Sequence, residues 1–392
     1  MPPATIVSQV MGALGQVLPG QRPIALHEPA FQGNEWQYVK DCLDSGWVSS
    51  VGSYVSRFER MLEDFTGARR AIAVVNGTAG LHVALQLAGV QPGDEVLVPT
   101  LTFVATANAV SYCGAIPHFV DCEEATLGVD PVALAAYLDT IVTPGQPICT
   151  NRLTGRPIRA LVPMHTFGHP SAIEALLELC ERYALTLVED AAESLGSYYK
   201  GRHTGTFGRL GVLSFNGNKV ATTGGGGAIL TNDDALADRA RHLTTTARCA
   251  DRWHFRHDEI GYNYRLPNLN AALGCAQMET LPDMLAAKRH LAERYRDAFA
   301  SVGGIRFFAE PAECRSNYWL NTLILDEPAE DLLTELLAAS NEAGMMTRPA
   351  WALMHHLPMY AACPRMPLAV AEGMAKRLLN IPSSAVLGAK HG

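Results

Sequence analysis

Leu213-Ser214-Phe215-Asn216-Gly217-Asn218-Lys219, followed three residues later by Thr222-Thr223-Gly224-Gly225-Gly226-Gly227, is the stretch on which the reading of this chain turns. A short apolar strand over 212–215 runs into a polar turn that ends on one lysine. Four glycines then let the backbone pass close to something. Most lysines are solvated surface charges, and a glycine run taken alone reads as a flexible hairpin. Together, at the end of a strand, they describe an amine held beside bare backbone. Such an amine can trap a carbonyl, and an apolar surround favours its neutral, nucleophilic form.

Upstream, the pattern repeats strand then helix. Residues 71–75 are an apolar strand that Asn76-Gly77-Thr78 turns into a helix over 79–87. Free backbone N–H groups at that helix start make an anion site, although an ordinary turn capped by Thr78 would read the same way. Strands follow at 95–99, 116–120, 160–163 and 185–188, with helices from Phe103 past Ala109 and over 130–140 and 172–183. This alternation predicts a mostly parallel sheet covered by helices on both faces. Ligands of such sheets bind beyond the carboxyl ends of the strands. Thr78, Phe103, His165, Asp190 and Lys219 all follow strand ends. A polar excursion over 142–157 contains Pro144-Gly145. After Leu230 the pattern changes to helices over 233–244 and 268–300, then a strand over 317–325, a helix over 331–343 and a strand over 347–351. The expected division is a large unit, 1–268, with an N-terminal arm of about thirty residues, and a smaller α+β unit, 269–392, joined through a helix.

Bulk properties narrow the function. Hydrophobic residues make up 48% and charged residues 18%, which predicts a sizeable core rather than disorder. The net charge of −8, without a basic block, argues against nucleic-acid or membrane-surface partners. Nine cysteines, an odd number with no Cys-x-x-Cys pair, read as free thiols of a reducing cytoplasm and not as a zinc site. Residues 1–23 lack a basic start followed by a long apolar run, so no signal peptide is expected, and no apolar stretch is long enough to span a membrane. The glycines of the segment 205–211 are three apart, unlike a dinucleotide fingerprint, and no Walker A or His-Glu-x-x-His run exists.

Asp190, at the end of a buried strand, needs a partner. A cap or structural ion pair would satisfy it. Paired with Lys219, it instead gives the two anchors that pyridoxal phosphate requires, an amine for the aldehyde and an acid for the ring nitrogen. The backbone at Thr78-Ala79 and the Ser214 hydroxyl are phosphate donors, and Phe103 is an aromatic for the ring face or the core.

Four runs, in order and spread over nearly the whole chain, carry a resemblance: Asn76-Gly77-Thr78-Ala79, Glu189-Asp190-Ala191-Ala192-Glu193-Ser194-Leu195-Gly196, Ser214-Phe215-Asn216-Gly217-Asn218-Lys219 and Gly261-Tyr262-Asn263-Tyr264-Arg265. They resemble the nucleotide-sugar aminotransferases of the DegT/DnrJ/EryC1/StrS type. The resemblance implies an α/β fold type I pyridoxal-phosphate transferase with a mostly parallel seven-stranded sheet and a small C-terminal α+β domain. It also implies a homodimer whose sites sit at the interface. Lys219 is implied to hold the cofactor, Asp190 to face the pyridine nitrogen, and Glu193 to lie near the phenolic oxygen. Thr78, Ala79, Ser214 and Asn263 of the second subunit are implied phosphate contacts, and Phe103 the stacking ring. Relatives that dehydrate sugars replace the lysine by histidine. Lys219 is retained, which implies transamination with L-glutamate as donor and a nucleotide sugar as acceptor.

A finer resemblance lies in Gly46-Trp47-Val48-Ser49-Ser50-Val51-Gly52, the excursion 142–157 and Arg348-Pro349-Ala350-Trp351-Ala352-Leu353-Met354-His355. These are similar to the branch that aminates C4 of UDP-4-keto-6-deoxy-N-acetylhexosamines, as in bacillosamine and legionaminic-acid pathways. Trp47, Arg348 and Trp351 are therefore candidate substrate residues, with packing or a surface guanidinium as the alternative; His165 is a further candidate from its place near a strand end, where it would assist or orient the site, with a satisfied core histidine as the alternative. A 3-keto or TDP-linked sugar, or a non-catalytic regulator on the same fold, are the competing readings.

Overall fold

The computed structural model describes residues 2–143 and 145–389; Pro144 of the polar excursion and the last three residues of the expected small unit lie outside them. The chain opens with α1 (Pro3–Val17), α2 (Glu35–Ser45) and α3 (Ser53–Thr66). Gly46 ends α2 in the left-handed region at φ 72°. Alternation then begins: β1 (Arg70–Val74), α4 (Gly77–Leu87), β2 (Glu95–Pro99), α5 (Val104–Tyr112), β3 (Ile116–Val120), α6 (Pro131–Ile141), β4 (Ile158–Leu161), α7 (Ile173–Tyr183) and β5 (Thr186–Asp190). A two-residue ribbon, β6 (Tyr198–Tyr199) and β7 (Arg202–His203), precedes β8 (Leu210–Ser214), β9 (Gly227–Thr231) and α8 (Asp234–Thr244). The long helix α9 (Asn268–Phe299) leads to β10 (Ile305–Phe307), β11 (Cys314–Arg315), β12 (Asn321–Leu325), α10 (Glu330–Glu342), β13 (Arg348–Pro349), α11 (Ala369–Ala375) and β14 (Leu378–Ile381).

Seven strands form the main sheet in the order β1-β9-β8-β5-β4-β2-β3. The pairs β2/β3, β2/β4, β4/β5 and β5/β8 are parallel, and β9 runs antiparallel between β1 and β8. This is the mostly parallel seven-stranded sheet expected of the fold. Its strands are almost wholly buried, which apolar runs such as Ala71-Ile72-Ala73-Val74 and Val96-Leu97-Val98 make possible with helices on both faces. The second sheet, β10-β12-β14-β13, is antiparallel and belongs to the α+β unit.

The helix α9 contributes to two cores. Ala271, Cys275, Met278 and Leu281 pack with Phe58, Leu213 and Phe215, whereas Leu291, Tyr295 and Phe299 pack with Ile305, Leu323 and Leu336. The same second core takes in Ile6, Val10, Leu14 and Val17 of α1. Spaced three and four apart, they form one apolar helix face. The N-terminal helix thus packs in one core with the C-terminal half of α9 and with β10, β12, α10 and β14.

The strand expected over 317–325 is shorter. Asn317 turns its side chain onto backbone groups and Tyr318 takes φ 48°, so pairing starts only at Asn321. That detour brings small-unit residues toward the sheet edge at Ser214.

Candidate active site

Parallel strands deliver their carboxyl ends to one edge. There, the segments following β1, β2, β4, β5 and β8 place Asn76, Gly77, Thr78, Phe103, Met164, Asp190, Glu193, Ser214 and Lys219 around one cleft of about 360 Å³. Trp319 and Trp351 of the C-terminal unit complete the wall. The volume is at the low end of the roughly 300–1,000 Å³ usual for small-molecule sites.

Lys219 Nζ lies 3.3 Å from Glu193 Oε1 and 3.8 Å from the centroid of the Trp319 ring. Glu193 is buried, and its other oxygen accepts from the Phe167 N–H at 2.9 Å. Burial pushes the Glu193 carboxyl up to about 7, against the opposing pull of Lys219 and the Phe167 N–H. Asp190, buried beside it, accepts from the Thr106 hydroxyl at 2.7 Å and from the Ala192 N–H at 3.2 Å. Desolvation raises its pKa, and those two bonds resist the rise. A cationic ring nitrogen opposite Asp190 would favour the ionised form.

The anion cradle follows from β1 feeding α4. Asn76, not Thr78, caps the helix, its side chain accepting from the Ala79 N–H at 2.8 Å. The Ala79 amide is therefore engaged, and Ala79 does not line the cleft. The N–H groups of Gly77 and Thr78, in the first turn, have no intrahelical acceptor, and both residues line the cleft beside Ser214. The glycine run has a related purpose. A Cβ on Gly227 would stand 2.6 Å from the Asn76 carbonyl carbon, so β9 can run beside this turn only as bare backbone. The close approach read from the glycines is to the cradle itself.

The structure also separates some expected site residues from the cleft. His165 is fully buried. Its Nε2 pairs with Glu189 at 3.0 Å and its Nδ1 accepts from the Ser171 N–H at 3.1 Å, so neither nitrogen is free for a substrate. Glu189 in turn accepts from the N–H groups of Gly205, Phe207 and Gly208, which makes the pair a structural knot behind β5. Arg348 is exposed on β13 outside the cleft. Trp47 and Asn263 are exposed as well; Trp47 lines a separate depression with Arg60, Thr245 and Asn268, and Asn263 bridges to Thr245. Trp351 does reach the cleft, its ring centroid 6.3 Å from Phe103 and 4.9 Å from Phe167.

Three contributors escaped the sequence reading. Thr106 bonds Asp190, Asn76 caps α4, and Trp319 covers Lys219. An Asn directly before a helix start was a legible cap signal. Thr106 and Trp319 carried none, since their partners are 84 and 100 positions away in the chain.

The donor set fits pyridoxal phosphate: an amine, a buried acid kept in place by two hydrogen bonds, helix-start amides with a hydroxyl, and an aromatic face at Phe103. Fold and site together define a pyridoxal-phosphate-dependent transferase of fold type I. The model of the DegT/DnrJ/EryC1/StrS aminotransferase family matches residues 29–391, and the chain belongs to that family. The protein named "Putative pyridoxal phosphate-dependent aminotransferase EpsN" of Bacillus subtilis (strain 168) is 38% identical over 341 residues, 86% of this chain and 84% of its own. GDP-perosamine synthase of Caulobacter vibrioides is 36% identical over 365 residues, covering 93% and 94%. Among solved structures, the aminotransferase TlmJ from Streptoalloteichus hindustanus superposes with a TM-score of 0.82 at 29% identity, over 92% of this chain and 93% of that one. The protein is a pyridoxal-phosphate-dependent sugar aminotransferase.

Proposed function

We propose that the protein moves the amino group of L-glutamate to the C4 ketone of a nucleotide-linked 4-keto-6-deoxy sugar, UDP-2-acetamido-2,6-dideoxy-4-keto-hexose being the acceptor that the motifs around Trp47 and Trp351 favour. The observation that carries this reading is the placement of Lys219 and Asp190 in one cleft beside a free helix start. Pyridoxal phosphate supplies an aldehyde that takes up amines and a ring that accepts electrons from the adjacent carbon. Lys219 would hold the aldehyde and, once freed as a neutral amine, its Nζ would take the proton from the α-carbon of the donor. Asp190 would favour a proton on the ring nitrogen. Gly77, Thr78 and Ser214 would hold the phosphate, Phe103 would offer the ring an aromatic face, and Glu193 orients Lys219. L-Glutamate leaves as 2-oxoglutarate and the ketone leaves as an amine, so nitrogen and electrons balance.

Trp47 and Asn263, exposed and outside the cleft of their own chain, are assigned to the site of a second copy in a homodimer. Exposed Trp36, Val51 and Ile260 are apolar surface that such a partner would cover. Relatives named GDP-perosamine synthase set a GDP-linked acceptor beside the UDP-linked one. Purified protein, loaded with cofactor and given L-glutamate with UDP-, GDP- and TDP-linked 4-keto and 3-keto sugars in parallel, separates these. Formation of 2-oxoglutarate with the UDP 4-keto sugar, and a 4-amino product by NMR, is expected. Efficient turnover of a TDP-linked or 3-keto sugar, with the UDP 4-keto sugar untouched, would refute the assignment.

A further inference from the structure

Trp319 is held at three points. Its backbone N–H donates to Asn317 Oδ1 at 2.8 Å, its indole Nε1–H donates to the Asn218 carbonyl at 2.7 Å, and its own carbonyl accepts from Lys288 Nζ at 3.2 Å. Asn317 in turn donates to the carbonyls of Glu193 and Leu195, each at 2.9 Å. The turn leaves no slack, because a Cβ on Gly168 (φ 96°) would stand 1.9 Å from Asn317 Oδ1. One asparagine thus ties together the backbone at both partners of the Lys219 amine, Trp319 and Glu193. Burial alone requires a partner for the indole N–H and for the backbone groups, but it does not set which way the ring faces. Here these bonds aim the π face at Nζ from 3.8 Å, in a cleft where only 5% of the indole residue is exposed.

We propose that Trp319 is a catalytic residue: once the displaced Lys219 amine has taken a proton, the indole face stabilises the resulting ammonium ion. The proposal rests on Lys219 being the cofactor lysine. A displaced lysine that has taken a proton needs a counter-environment until it gives the proton back. The groups facing it are Glu193 and Asp190 in the cleft, Lys288 behind the indole, and the His27 imidazole beside Asn218, which burial keeps neutral. Glu193 alone is an uneven partner, since burial pushes it up to about 7 and it is only part-ionised near neutrality. An indole ring attracts a cation without titrating and without a charge to desolvate.

The test is competitive labelling of the cofactor-free protein with acetic anhydride, which takes only neutral amines, followed by mass spectrometry of the Lys219 peptide. The other lysines serve as internal standards. In Trp319→Leu, Lys219 should label roughly 2- to 30-fold faster than in wild type near pH 8. The ratio should fall toward one near pH 11, where lysines lose their protons unaided, at about 10.4 in model peptides. Trp319→Phe, which keeps a weaker ring and most of the packing, should fall between the two with the same pH dependence, and it carries the test if the leucine variant does not fold. A ratio near one at pH 8, or a raised ratio that is the same at both pH values and so reports only easier access, overturns the proposal. Borohydride reduction of the loaded wild type is run alongside. Cofactor fixed at Lys219 with a flat labelling ratio sinks the Trp319 role alone; cofactor fixed elsewhere sinks the assignment of Lys219 and this proposal with it.

Discussion

Replacing Glu193 by Gln removes a titration that the fold opposes. The carboxyl is buried, with Oε1 3.3 Å from Lys219 Nζ and Oε2 accepting from the Phe167 N–H at 2.9 Å. Burial raises it from an ordinary 4.5 to about 7, more than Lys219 and the amide can offset. The sign follows from linkage. A folded-state pKa above the unfolded one contributes stability that is complete below about 4.5 and lost as the pH rises through about 7. The gap corresponds to about 3 kcal/mol. The Glu193→Gln variant has no such loss. Its amide, however, cannot accept from both the Phe167 N–H and Lys219 without turning its own NH2 on one of them, a pH-independent cost of roughly 1–3 kcal/mol. Cofactor-free variant should therefore be less stable than wild type near pH 4.5, by about that cost. Near pH 8.5 the deficit should vanish or reverse, by up to about 2 kcal/mol. Urea denaturation of both proteins at the two pH values measures the change. A difference between variant and wild type that is equal at both values would refute the reasoning, because it would mean that Glu193 ionises as an exposed carboxyl does.

The Thr106→Val variant keeps shape but removes the 2.7 Å bond to Asp190 Oδ2, leaving only the Ala192 N–H. Losing a bond to a charged acceptor is worth roughly 1.5–3 kcal/mol, so the acid limb of kcat/KM should move up by about 1–2 pH units, and an unmoved limb would deny Asp190 its role. If Asn263 serves the partner's site, Lys219→Ala and Asn263→Ala chains unfolded and refolded together should regain up to roughly a quarter of wild-type activity, because about half the dimers then hold one intact site. Given two nearly inactive homodimers, a mixture no better than their average would place Asn263 in its own chain's site or in none.

Much of this arrangement was legible because the chemistry sits at strand ends. The run from Leu213 to Lys219, the acid at Asp190 and the turn at Asn76-Gly77-Thr78 are local signals, and a parallel sheet carries local signals to a common edge. Apart from the Asn76 cap, a local contact, what stayed hidden depends on groups far apart in sequence. Trp319 sits before β12 in a stretch that reads as continuous strand. The bonds from Asn317 to Glu193 and Leu195 show why the chain turns there. His165 misled for the opposite reason. Its place after a strand matches a site residue, but its partner Glu189 faces the other side of the same strand from Asp190, and side-chain alternation draws the imidazole into the core. Trp47 and Arg348 resemble family motifs, and a resemblance does not say whose cleft a residue serves. The helix α1 was read as an arm because nothing local in its apolar stripe names the core that it joins.

Lys219 is the centre of the account, and its role can be read on one peptide. The protein is loaded with pyridoxal phosphate, reduced with borohydride, digested and mapped by mass spectrometry. The cofactor mass is expected on the peptide containing Lys219, and the same treatment after incubation with excess L-glutamate should leave that peptide unmodified while 2-oxoglutarate appears. Cofactor fixed to another lysine, or a Lys219 peptide that stays modified and yields no 2-oxoglutarate with the donor, would contradict it.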